Sequence, residues 1–161
     1  MNAKRIFARF LIFGLIGLLL EVFADAISHG MNGNWNIHGC SSPWMIPDYG
    51  LLGVLLMPMA NPMIRRRVPL LIRAFVYMIA IFAVEYVSGI IFTWGFGLRI
   101  WDYSSMPYNL HGQIVLSCVI PWYAIGIAAE YLHRRVDACA IILVRGIRAE
   151  QLLELEVAPA D

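Results

Sequence analysis

The chain has 161 residues, 60% of them hydrophobic and 14% charged, with a formal net charge of +1 and a mean hydropathy of +0.69. That composition excludes an ordinary soluble domain and points to a polytopic membrane protein, whose helices each need about 20 apolar residues. The net charge itself says nothing about partners. No G-x-x-x-x-G-K-[ST] string exists and Lys4 is the only lysine, so no ATP bound through a P-loop and no Schiff-base lysine within a span is expected.

Four apolar stretches predict spans at about 6–28, 44–64, 70–94 and 113–133. Irregular backbone cannot face lipid, so all four are expected to be helices. The fold class is therefore all-α, a polytopic membrane four-helix bundle over residues 1–133. Residues 134–161 are expected to form a cytoplasmic tail, helical in part and lying on the membrane or against a partner, with plain extension of the fourth span as the alternative. Ahead of the first span stand Lys4, Arg5 and Arg9; Arg65, Arg66, Arg67 and Arg73 lie between or just inside the second and third. Arg134, Arg135, Arg145 and Arg148 follow the fourth, and only Arg99 falls on the other side. The positive-inside rule then puts both termini in the cytoplasm and two loops, about 29–43 and 95–112, outside the inner membrane. Trp35, Trp44, Trp94 and Trp101 gather around those loops, as an interfacial aromatic belt requires. Ala24-Asp25-Ala26 after a basic start resembles a signal-peptide cleavage site. A matching segment recurs in the third span, where no signal peptide can stand, so the first span is expected to be retained.

Two of the spans carry a glutamate near the middle, LIFGLIGLLLEVFADAI with Glu21 and FVYMIAIFAVEYVSGII with Glu85. A charge near a bilayer centre costs about 2.5–3.5 kcal/mol on insertion scales, so such residues are functional by default. The order repeats. Glu21 is followed by Asn36-Ile37-His38-Gly39 and Ile46-Pro47-Asp48-Tyr49; Glu85 is followed by Asn109-Leu110-His111-Gly112 and Ile120-Pro121-Trp122-Tyr123. Two spans per half predict a 2+2 parallel internal repeat about an axis along the membrane normal, with the polar site at the repeat interface. Pro47 and Pro121 are expected to kink their helices.

Asp25 and His29 share a helix face with Glu21 at i+4 and i+8. Asp48 adds a carboxylate at the outer start of the second span, and His38, His111 and Gln113 approach from the loops. An outward-open polar cavity lined from all four helices is the expected site, with Glu21, Glu85, Asp25, Asp48, His38 and His111 as substrate- or ion-binding residues. The chemistry is open among four readings. Glu21, Glu85, His38 and His111 suit a divalent metal such as iron, manganese or zinc, the one cofactor in view. The same acids and imidazoles suit a proton relay or cation path. The cavity could take a polar small molecule or lipid headgroup, or the carboxylates could be hydrogen-bonding glue between helices. Glu130-x-x-His133 has the spacing of bundle di-iron ligands, but pairing of Glu130 with Arg9, Arg73 or Arg134 is the better expectation. Cys40, Cys118 and Cys139 fit no zinc spacing and take no role.

The string Trp101-Asp102-Tyr103-Ser104, then Pro107, Asn109-Leu110 and Gly112, resembles the bacterial membrane family described as Putative ABC-transporter type IV (CmpB-like). It is also similar to the vertebrate transmembrane protein 229 family. The resemblance extends to Glu21, Ser42, Trp44 and Glu130 and covers about residues 6–133. It implies a small multi-span protein without an established activity, with glutamates where Glu21, Glu85 and Glu130 stand. It does not imply histidine at the His111 position, which favours carboxylates over metal. Trp101-Asp102-Tyr103-Ser104 is expected as a structured loop, with Asp102 capping a turn or pairing with Arg99 and with Trp101 and Tyr103 at headgroup level. Function is thus expected to be transport of a proton, cation or small polar solute. A membrane-embedded metal-dependent enzyme and a non-catalytic transporter subunit or scaffold are the alternatives. Membrane lipids, a homo-oligomer or a transporter partner subunit are the partners in view, and nucleic acid is not.

Overall fold

The computed structural model describes residues 2–157. The chain is mostly helical: α1 (Ala3–Met31), α2 (Met45–Arg65), α3 (Leu70–Ile90), α4 (Val119–Arg145) and α5 (Ala149–Val157). A π-helical turn, Ile91–Gly95, prolongs α3, and the loop before α4 holds a two-stranded antiparallel hairpin, β1 (Asn109–Leu110) and β2 (Ile114–Val115). Residues 158–161 of the expected tail lie outside the described residues.

The four long helices pack antiparallel, α1 against α2 and α4, and α3 against α4 and α2. Phe13, Leu56, Tyr77, Ala129 and Val136 make the buried core between them. Among the described residues, two helices are long and apolar enough to cross a membrane, α1 and α3 with its π-turn. Their apolar side chains face outward: Phe7, Leu15, Leu19 and Phe23 on α1, and Leu71, Phe75 and Ile79 on α3, are all at least half exposed. A soluble protein would bury such helices; here only about a quarter of each apolar window is covered, which is a lipid-facing arrangement. The other two expected spans carry more polar and helix-breaking residues. Asp48, Pro58, Pro62 and Arg65 lie in α2, and Glu130, Arg134, Arg135 and Asp137 in α4.

Three expectations need correction. Helix α4 does not start at 113, because Ile114 and Val115 pair with Leu110 and Asn109 and a short 3-10 turn, Leu116–Cys118, follows. The turn that closes this hairpin needs left-handed backbone, found at His111 (φ 53°) and at Gly112 (φ 70°), where glycine suits it. Nor does α4 end at 133. It runs to Arg145 and stops at Gly146, whose left-handed φ of 64° lets its amide reach back to the carbonyls of Ile142 and Leu143. Pro47 and Pro121, finally, each stand at the third residue of their helices, where an N–H would have no intrahelical acceptor and no hydrogen bond is lost, so the expected kink has no cause there.

The end of the molecule rich in arginine is held by ion pairs. Arg9 is fully buried; its Nε donates to the Gly53 carbonyl and its Nη1 to the His133 carbonyl, both at 3.0 Å, and Nη1 lies 3.2 Å from Asp137. Arg5 pairs with the same carboxylate. Glu130 takes a two-pronged contact from Arg73 (2.7 and 2.5 Å) and the Tyr77 hydroxyl at 2.6 Å.

Candidate functional site

At the opposite end of the helices lies a cavity of about 330 Å³. All four long helices and the Trp101–Tyr103 stretch line it. Its walls are largely apolar, built from residues such as Leu20, Leu52, Ile81, Val84 and Ile125, so it is no water-like pool. Against those walls stand three carboxylates, Glu21 from α1, Asp48 from α2 and Glu85 from α3, and among the described residues no Lys, Arg or His lines it.

The three acids are held differently. Glu85 is buried and fully engaged, accepting from the Trp122 indole Nε1 at 2.8 Å on one oxygen and from the Tyr103 hydroxyl at 3.2 Å on the other. Glu21 is half-buried and accepts from the Ser41 hydroxyl at 2.9 Å. Asp48 is only 9% exposed, yet neither of its carboxylate oxygens has a hydrogen-bond partner among the described residues. Ser88 stands close by, but its hydroxyl donates back to the carbonyls of Val84 and Glu85 at 2.8 and 3.2 Å. A buried, unpartnered carboxylate is costly, and native proteins keep few of them without a ligand or a chemical role.

The other three candidate binding residues lie elsewhere. Asp25 points to the 32–44 loop, where it accepts from the Cys40 amide at 2.8 Å and sits 3.6 Å from His29. His38 is exposed in that loop. His111 is exposed at the hairpin tip, 2.9 Å from the Tyr86 hydroxyl and beside Trp94. The expected gathering of Glu21, Glu85, His38 and His111 is therefore not formed. Among the described residues no group of three or more His, Cys, Asp or Glu is placed to hold a metal ion.

The Trp101-Asp102-Tyr103-Ser104 stretch acts as a built wall of the cavity. Asp102 accepts from the Ser104 amide at 2.8 Å and from its hydroxyl, and Arg99 approaches its other oxygen at 3.1 Å. The Tyr103 amide donates to the Gly112 carbonyl at 2.9 Å, and Asn109 ties both ends of the intervening turn, donating to the Met106 carbonyl and accepting from the Gly112 amide. A Cβ on Gly112 would lie 2.9 Å from the Asp102 carboxylate, so only glycine fits there. With the loop fixed in this way, Trp101 donates from Nε1 to the Gln113 carbonyl at 2.9 Å and Tyr103 reaches Glu85. Both side chains line the cavity. Phe92 of the π-turn stacks edge-on between Trp44 (5.8 Å) and Trp101 (6.1 Å), closing the wall on the α2 side. π-helical turns of this kind concentrate near functional sites.

Ser104 donors, aided by Arg99, hold the exposed Asp102 carboxyl below its ordinary value. A depressed folded-state pKa means that the contribution of Asp102 is complete above the ordinary carboxylate value near pH 3.9 and is lost as pH falls through the lower, folded value. Amide-exchange protection at Ser104, corrected for intrinsic rate, should hold steady down to about pH 4 and drop below it. Asp102→Asn should abolish that drop; its persistence in the variant would assign the titration to another group.

Trp122, Tyr49 and Ser41 join the site without having been singled out from sequence. Trp122 had a readable signal, since it fills in the second I-P-x-Y the place that Asp48 takes in the first. The family model described as Putative ABC-transporter type IV matches residues 8–149, most of the chain. The chain belongs to this family. Family membership together with the two outward-facing apolar helices makes it a membrane protein. No solved structure matches the chain.

Proposed function

We propose that this chain is a four-span protein of the cytoplasmic (inner) membrane, with both termini in the cytoplasm, that moves a proton, cation or small polar solute through the acidic cavity. The observation that carries the reading is the sharing of one cavity by Glu21, Asp48 and Glu85 with no basic side chain among them. Carboxylates kept inside membrane helices without counter-charges serve ion and proton paths. Arginine clusters at one end of the helices and the cavity at the other support an outward-facing mouth. The family's description also points to transport.

A 2+2 repeat fits this reading. The two I-P-x-Y strings start α2 and α4 in the same helical register, and Asp48 and Trp122 both face the cavity from them. The two N-x-H-G strings fold differently, with positive φ at Ile37 in the first and at His111 and Gly112 in the second. Divergence of the halves would thus lie in the loops, one acid being matched by one indole donor across the axis.

The test is flux through purified protein in proteoliposomes, with internal pH and alkali or ammonium cations followed after a gradient is imposed. Glu85→Gln and Asp48→Asn should each lower the flux at least about tenfold, since loss of a transition-path charge of 1.4 kcal/mol or more gives that factor. Flux unchanged in both variants would overturn the proposal.

A further inference from the structure

We propose that the cavity takes an organic cation with an apolar body, an alkyl- or arylammonium, its charge among Glu21, Asp48 and Glu85 and its body against aromatic rings. This rests on the reading of the cavity as a binding site. The walls decide between classes of cation. A small hard ion needs six or more oxygen ligands, or an octahedral shell, at about 2.0–2.6 Å. The walls of the cavity are mostly apolar, and among the described residues no three acids, imidazoles or thiols are placed to share an ion. A cation that carries its own hydrocarbon shell needs few charges and much apolar contact.

Aromatic side chains supply that contact. Tyr49 and Trp122 line the cavity from α2 and α4, and Trp101 and Tyr103 from the loop. Rings around a carboxylate are the surroundings in which substituted ammonium groups are held, since the negative face of each ring attracts the spread charge. The volume of about 330 Å³ falls at the low end for small-molecule sites, enough for a benzyl- or propyl-substituted ammonium. Anions are disfavoured by three carboxylates with no basic neighbour. A neutral solute would leave unanswered the charge of Asp48, which is nine-tenths buried and has no hydrogen-bond partner among the described residues. Glu85 is already engaged by Trp122 and Tyr103, so Asp48 is the acid free to meet the ligand's charge.

The experiment measures binding of benzyltrimethylammonium to the full chain in nanodiscs by calorimetry and tryptophan quenching. Neopentylbenzene, its uncharged isostere, and sodium, calcium and manganese ions serve as competitors. Saturable binding of the ammonium, unaffected by the isostere and weakened about tenfold or more by Asp48→Asn, is the expected result. The comparison of charged and uncharged isosteres uses the unaltered protein, so it stands even where Asp48→Asn fails to fold. Equal binding of the isostere would overturn the proposal, as would binding of an inorganic cation without the ammonium. Absence of ammonium binding, beside inorganic-cation or proton flux that depends on Asp48 and Glu85, would overturn the organic ligand alone and leave the transport reading in place. Absence of all binding and all flux would remove both.

Discussion

Arg73→Ala is expected to destabilise the folded helices by about 2–4 kcal/mol, between the costs of breaking a surface ion pair and a fully buried one. Glu130 and Arg73 have side chains only 12% and 15% exposed, and the guanidinium grips the carboxylate with two nitrogens while a third nitrogen holds the Val68 carbonyl. Without it, Glu130 keeps only the hydroxyl of the fully buried Tyr77. The Arg5–Asp137 pair is a weaker target, because Arg9 stays beside the same carboxylate when Arg5 is removed. Unfolding in mixed micelles on an SDS titration, followed by far-UV circular dichroism, measures the loss. The double variant Arg73→Met with Glu130→Leu should regain part of it, because both desolvated charges leave together and the Tyr77 hydroxyl and the Val68 carbonyl lose their partners, at about 1–3 kcal/mol. A single variant that loses less than about 1 kcal/mol would put the pair in the class of surface bridges.

The sequence carried the helices well and the site in part, for reasons that particular residues make plain. Length and apolarity define α1 and α3 directly, because lipid-facing helices are apolar nearly all round. The start of α4 was not legible: Ile114 and Val115 are apolar residues next to an apolar helix, and only pairing with Asn109–Leu110 reveals them as a strand. The three acids that line the cavity are legible in the sequence because a charge amid apolar residues stands out wherever it falls. The placement of the histidines was not legible, because spacing along a loop says nothing about which way the chain turns. His111 takes a left-handed backbone and ends at the hairpin tip, outside the cavity. Trp122 was missed for the opposite reason. An indole in an apolar span looks like packing, and its Nε1 matters only once α3 brings Glu85 within 2.8 Å. The Asp102, Asn109 and Gly112 signature was visible as a string, but its purpose, aiming Tyr103 at Glu85, is a tertiary fact.

The same substitution, Gly→Ala, should move stability in opposite directions at two places in α1. Gly17 has no room: an added Cβ would fall onto the Tyr49 ring, while the neighbouring Gly14 would strike the Ile46 carbonyl at 2.8 Å. On the facing helix Gly53 packs just as closely, with the Arg9 carbonyl 2.9 Å from where its Cβ would be. These glycines let the backbones of α1 and α2 approach closely, as small residues do between membrane helices. Gly17→Ala must therefore push the helices apart or turn the Tyr49 ring, an overpacking change that costs about 1–3 kcal/mol. Gly30, the second-last residue of the same helix, has nothing within 4 Å of its would-be Cβ. There alanine only lowers the entropy lost on forming the helix, and Gly30→Ala should stabilise by up to about 1 kcal/mol. The two variants unfolded side by side under the conditions used for Arg73 separate packing from propensity. Equal and stabilising effects would mean that α1 and α2 are not in close contact at Gly17. Because Tyr49 also lines the cavity, Gly17→Ala should in addition weaken binding or flux there, whereas Gly30→Ala should leave both unchanged.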